Sequence, residues 1–254
     1  MITLINTPGI KTTAGLQLQE GYPPIGIAYL AGQLKAAQFP YQVIDAVGLA
    51  PDNLKPIQGL PHVYRQGLDI PQIVERIHPS TVCVGLGSFF SSQWPALREL
   101  IFEIRRVHPK MLIVVGGEHC TALPEFCLRS SPIDFVALGE GERIILAMAK
   151  QAYQNMETVP GLAYIKDSVF VKNPAPARIA NLREIAWPDW DSIPLENYFK
   201  VKNTFGANRG RSLLFMATRG CPFECTFCSN PNMYGNRYVT RDVVAVVDEM
   251  ELYV

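Results

Sequence analysis

Short blocks rich in valine, isoleucine and leucine recur through the first 150 residues, and the stretch after each block carries apolar positions at helical spacing. The blocks at 2–6, 41–45, 81–86, 111–115 and 135–138 read as strands. They are apolar on consecutive positions, as in strands covered on both faces. Pro24 opens a helix with Ile25, Ala28, Leu30, Ala31 and Leu34 on one side. Further helices are expected near 70–77, 94–107, 124–129 and 142–152. His78-Pro79 and His108-Pro109 stop two of the helices ahead of the next strand. Five strands joined by crossover helices predict an α/β fold with a doubly wound, five-stranded parallel sheet.

The pattern changes after residue 150. Pro160-Gly161 precedes 162–165, then Lys166-Asp167-Ser168, then 169–172, which predicts a hairpin. Pro174, Pro176, Pro188 and Pro194 then punctuate a stretch holding Trp187, Trp190, Tyr198 and Phe199, expected to be a connector docked by its aromatic rings. The apolar run 212–217 reads as a buried strand, and 238–254 as an amphipathic helix. The organisation expected is therefore a doubly wound domain over 1–150, a hairpin and linker over 151–208, and a further unit over 209–254.

Composition narrows the function classes. Apolar residues make up 48% and charged residues 18%, enough for a substantial core. Lys and Arg balance Asp and Glu at 23 each without clustering, which argues against nucleic acid as a partner. No apolar run reaches the ~18 residues needed to span a bilayer, and the N-terminus reads as a strand, not a leader. Cys83, Cys120 and Cys127 lie in or near apolar runs as expected for buried, reduced thiols, which fits a cytoplasmic setting.

In parallel sheets ligands bind beyond the C-terminal strand ends. The segments there are Thr7-Pro8-Gly9 running on to Tyr22-Pro23-Pro24, then Gly85-Leu86-Gly87-Ser88-Phe89-Phe90, then Gly116-Gly117-Glu118-His119-Cys120-Thr121, then Gly139-Glu140-Gly141-Glu142. Glycines admit close approach, and hydroxyls and backbone N–H groups line the rim, which suits a large, nearly neutral, amide-decorated ligand. No segment supplies a dinucleotide or Walker-type phosphate loop. For His119 a loop role and a cofactor contact both stand. For Glu140 and Glu142 the readings are a helix-start acid pair, with ligand or interdomain contact open to Glu140.

Cys221, Cys225 and Cys228 follow the run 212–217 at C-x3-C-x2-C spacing, preceded by Arg219-Gly220. Three thiolates on one tight loop select zinc or an iron–sulfur centre. A four-ligand zinc site shows two close pairs or a following histidine, and neither is present.

This spacing, with Phe227 before the third cysteine, resembles the radical S-adenosylmethionine enzymes. The segments Tyr22-Pro23-Pro24-Ile25-Gly26, Gly116-Gly117-Glu118-His119-Cys120-Thr121 and Gly139-Glu140-Gly141-Glu142 resemble the flavodoxin-like cobalamin-binding domain that precedes many of them. The resemblance implies a [4Fe–4S] cluster on the three cysteines and S-adenosylmethionine at its open iron, with the backbone of Phe227 beside the adenine. It implies cobalamin held by Thr7, Pro8, Tyr22, Pro23, Ser88, Phe89, Gly116, Gly117, His119, Thr121, Gly139 and Glu140. Asp45-Ala46-Val47-Gly48 stands where other cobalamin proteins carry a cobalt-ligating histidine, so that ligand is not expected.

The activity implied is hydrogen abstraction by a 5′-deoxyadenosyl radical, most often leading to methyl transfer onto an unactivated centre of a small-molecule or natural-product substrate, with cyclisation or oxidation as alternatives. An electron donor such as flavodoxin or ferredoxin is implied as partner. About 46 residues remain for a barrel expected to need roughly 190. The expectation is a truncated radical domain, completed by a longer chain or a second polypeptide, or else a non-catalytic cobalamin-binding module. On this expectation the chain alone binds cobalamin and turns over nothing.

Overall fold

The computed structural model describes residues 1–12, 22–201 and 210–253. Its strands are β1 Ile2–Asn6, β2 Gly9–Thr12, β3 Tyr41–Asp45, β4 Leu54–Pro56, β5 Val63–Gln66, β6 Cys83–Gly87, β7 Leu112–Gly116, β8 Phe135–Ala137, β9 Leu162–Lys166, β10 Val169–Lys172, β11 Thr218–Arg219 and β12 Val239–Thr240. The helices are α1 Ile25–Ala36, α2 Ala46–Leu49, α3 Ile70–Glu75, α4 Trp94–Val107, α5 Glu118–Ala122, α6 Pro124–Ser130, α7 Gly141–Lys150, α8 Leu195–Lys200, α9 Asn230–Tyr234 and α10 Val243–Leu252. Among the described residues no helix is long and apolar enough to cross a membrane.

The main sheet runs β10-β9-β8-β7-β6-β1-β3. Its five parallel strands, β3, β1, β6, β7 and β8, are the five expected. Alternate side chains of each strand serve opposite cores, which explains the unbroken apolar blocks. Ile5, Val84, Ile113, Val115 and Val136 pack under α3, α4 and α6. Ile2, Leu4, Cys83, Val114 and Phe135 pack under α1 and α7. Cys83, Cys120 and Cys127 are free thiols sealed inside.

The strand count needs correction: the sheet has seven strands. The hairpin β9–β10 continues it, with β9 antiparallel to β8. Both hairpin-turn residues, Asp167 and Ser168, have left-handed φ angles of 47° and 67°, the mirror-image turn that suits the twist of paired strands. Ala163 and Leu162 complete the two cores, so the hairpin satisfies the open edge of β8 and buries its own inner residues. A second sheet, β2-β5-β4, was not foreseen. Its strands are three or four residues long, too short for an alternation pattern.

The run 212–217 is not a strand, another correction. Only Thr218–Arg219 is extended and paired, antiparallel to Val239–Thr240. Leu213 lies on the cluster of Ala28, Val47, Trp190, Ile193 and Tyr198, and Met216 on that of Tyr29, Ile179, Leu182 and Ile185. With no parallel neighbour among the described residues, these side chains pack against α1 and the connector.

Of the connector's aromatic rings Trp190 and Tyr198 are buried as expected, whereas Trp187 is exposed and Phe199 half-buried. The connector's Asp189 N–H donates to the Ala28 carbonyl of α1 at 2.8 Å. The Asp189 carboxylate accepts from Lys35 at 2.5 Å and from the Tyr41 hydroxyl at 2.6 Å. Tyr198 is fully buried, and its hydroxyl lies 2.9 Å from both oxygens of Asp45.

Candidate cofactor site

The C-terminal ends of β6, β7 and β8 open onto adjacent loops, and the cysteine loop is seated beside them. Gly117 has φ +96°, and a Cβ there would lie 2.5 Å from the Ser88 carbonyl oxygen. Glycine thus lets the loop after β7 close onto the loop after β6. The Ser88 N–H donates to Gly116 O at 2.9 Å, and the Ser88 hydroxyl turns to Phe90 O at 3.3 Å. Thr121 Oγ1 accepts from the Gly139 N–H at 3.1 Å, tying the β7 and β8 loops together. Pro8 and Pro23 are buried, Thr7 and Tyr22 half-buried. Phe89 is exposed, with its ring edge-on to Phe90 at 4.7 Å. Thr121, Gly139 and Glu140 also line a cavity of about 300 Å³ with Arg178 and Asn232.

His119 has partners within the protein. Nδ1 lies 2.9 Å from Ser91 Oγ, and the ring packs on Trp94 at 5.2 Å and Phe126 at 6.5 Å. Burial holds its pKa below the usual 6.5.

Glu140 and Glu142 converge on Arg219. One guanidinium nitrogen is 3.1 Å from Glu140 and the other 2.5 Å from Glu142, and all three side chains are at least nine-tenths buried. The second Glu140 oxygen accepts the Ile179 N–H at 2.9 Å. The guanidinium lies over the Tyr234 ring, 5.4 Å from its centroid. A second buried pair joins Arg241 to Glu249 at 2.5 Å, with Tyr29 beside it. Burial first, and the Glu249 charge second, push the Tyr29 phenol up to about 12.

From Cys221 to Cys228 the chain is open to solvent. Cys221 is half-buried, Cys225 and Cys228 are exposed, and none is in a disulfide. Phe223 and Phe227 are 70% and 91% exposed. The Cys228 N–H closes a turn onto Cys225 O at 3.0 Å. Gly220, at φ +83°, allows the loop to pass Arg237, whose carbonyl oxygen would be 2.0 Å from a Cβ. Among the described residues no three Cys, His, Asp or Glu side chains are gathered at metal-holding spacing. The donor chemistry nevertheless fits an iron–sulfur centre: three free thiols on one short loop, with no fourth thiol or histidine in that loop.

Glu118, Ser229 and the Arg241–Glu249 pair were not identified as site residues from sequence; for Arg219 a turn-shaping role and a functional role both stood. Glu249 stands between Asp248 and Glu251 in the helix 243–252, so its charge alone did not mark it as the buried one.

A family model described as "B12 binding domain" matches residues 12–149, more than half of the chain. The chain belongs to the B12 binding domain family. It is 27% identical over 258 residues to the cytidylyl-2-hydroxyethylphosphonate methyltransferase of Streptomyces wedmorensis, covering 89% of this chain and 47% of that protein. It is 29% identical over 252 residues to the anaerobic magnesium-protoporphyrin IX monomethyl ester cyclase of Rubrivivax gelatinosus, covering 95% and 41%. Among solved structures, the cobalamin-dependent S-adenosylmethionine radical enzyme OxsB, with aqua-cobalamin and S-adenosylmethionine bound, matches with TM-score 0.73 at 20% identity, covering 98% of this chain and 31% of that one. TsrM from Kitasatospora setae, a radical S-adenosylmethionine methyltransferase with cobalamin and a [4Fe-4S] cluster bound, matches with TM-score 0.65 at 19% identity, covering 99% and 45%. The cobalamin-binding domain and the cysteine-loop unit together span about half the length of the curated relatives.

Proposed function

We propose that this chain carries the cobalamin-binding domain and the cluster loop of a cobalamin-dependent radical S-adenosylmethionine methyltransferase acting on an unactivated centre of a small molecule. The observation that carries the reading is the position of the cysteine loop, pinned beside the C-terminal strand ends of a B12-binding sheet. Cys221, Cys225 and Cys228 would hold a [4Fe–4S] cluster, and Ser88, Phe89, Gly117, Thr121 and Gly139 would face cobalamin. Bound there, the cluster would supply the electron that cleaves the sulfonium of S-adenosylmethionine, and cobalamin would supply the methyl carrier.

The protein's own contribution is binding and placement. The packed loops after β6 and β7 hold their backbone at fixed spacing through the Ser88 and Thr121 contacts, and the exposed rings of Phe89 and Phe227 offer apolar area to flat ligands. A flavodoxin- or ferredoxin-type donor and a reducing, cytoplasmic setting accompany this reading. Radical cyclisation is the second reading, favoured by the cyclase relative.

The test is titration of the purified chain with aquocobalamin, followed by absorbance, and iron and sulfide analysis after anaerobic reconstitution. About one cobalamin and four irons per chain are expected, the iron being lost when Cys225 and Cys228 are replaced by alanine. A chain that takes up neither, or that holds one zinc, overturns the reading.

A further inference from the structure

Two contacts bracket the cysteine loop, and both reach carboxylates of the sheet domain. Arg219, two residues before Cys221, is gripped by Glu140 and Glu142. Ser229, directly after Cys228, donates its hydroxyl to Glu118. Glu118 opens α5 at the end of β7, while Glu140 and Glu142 flank the start of α7 beyond β8. Between the brackets the loop is exposed and makes few other bonds, one being Asn236 to Glu224.

We propose that Glu118, Glu140 and Glu142 are positioning residues forming a two-point carboxylate latch. The latch registers the cysteine loop against the strand ends and, on the functional reading above, sets the iron–sulfur centre at a fixed place relative to the corrin. The acidic residues in the two glycine-rich rim segments thereby serve the cysteine loop and not the sheet's own ligand. Geometry supports the assignment. Both Glu140 oxygens are committed, one to Arg219 and one to the Ile179 N–H. Arg219 gives one terminal nitrogen to Glu140 and the other to Glu142, its Nε is buried without a partner, and its face is covered by Tyr234. An arginine shielded in this way fixes direction as well as distance, which a lysine point charge would not. The flanking backbone is equally fixed, because Arg219 pairs with Val239 and Gly220 passes against Arg237.

Hydrogen exchange on the full cofactor-free chain tests the latch independently of any cofactor. In Glu140→Gln/Glu142→Gln the amides of Cys228, Asn232 and Arg241 should exchange at least tenfold faster, while β1, β6 and β7 keep their protection. Should the double variant also loosen the sheet, Ser229→Ala, which removes only the Glu118 contact, decides: exchange at Cys228 and Asn232 should rise at least threefold. Changes below twofold at those amides in both variants overturn the proposal. Cobalamin affinity should stay within threefold in the double variant, and a loss beyond tenfold overturns the proposal by making the carboxylates ligands. In the reconstituted protein, broadening of the reduced cluster's electron paramagnetic resonance by cob(II)alamin should weaken in the double variant. If the wild-type chain takes up no cobalamin, the functional reading fails and exchange still decides the latch.

Discussion

Arg219 shows how much one side chain contributes when water is excluded. Its partners are two carboxylates that would face each other across a buried gap without it. Replacing Arg219 with methionine should therefore cost about 3–5 kcal/mol, read as a drop in the urea midpoint of the whole chain. His119 gives a residue-scale pH effect. Its folded-state pKa lies below the unfolded value, so the unfolded chain binds the proton first as pH falls. Stability should decline as the pH falls below about 6.5, the ordinary histidine value, and His119→Phe should flatten that decline in denaturation curves taken across neutral to mildly acidic pH. The cysteine spacing was legible because a loop ligand set is local in sequence. The carboxylate grip was not, because its partners lie 77 and 79 residues away and nothing in the local pattern encodes that separation.

Among the elements, those with long apolar blocks were legible and those held by single contacts were not. The strands at 2–6 and 41–45 match residue for residue because of their apolar blocks, and the helix at 94–107 because Leu97, Leu100, Ile101 and Ile104 recur at helical spacing on one buried face. The run 212–217 is apolar too, though without a β-branched residue, and strand formation needs a neighbour, which the described residues supply only at 218–219. The α8 segment owes its seat to the Tyr198–Asp45 contact, in which one phenol serves a carboxylate that burial pushes up. Tyr198→Phe should lower stability by about 1.5–3 kcal/mol in equilibrium unfolding. The helix expected over 238–254 begins only at Val243, after the short strand β12, and three of its valines face outward. Val243, Val244 and Val247 are exposed and Glu249 is fully buried against Arg241. Val244→Glu with Val247→Glu should thus change the unfolding free energy by less than about 0.5 kcal/mol, whereas Glu249→Ala should cost several times that.

At the scale of the molecule, a parallel sheet, a hairpin extension and a strapped connector present one platform of strand ends, and the cysteine loop is fastened to it. The doubly wound class was readable from the alternation of strand and helix. The hairpin's place at the sheet edge was not, because β8 is only three residues long and its free edge leaves no mark in composition. The carboxylates at 118, 140 and 142 all precede the loop they hold. A chain synthesised from its N-terminus, folding domain by domain, completes this seat before Cys221 is made. The cysteines are then born next to a finished docking surface, so the order of translation itself is also an order of assembly.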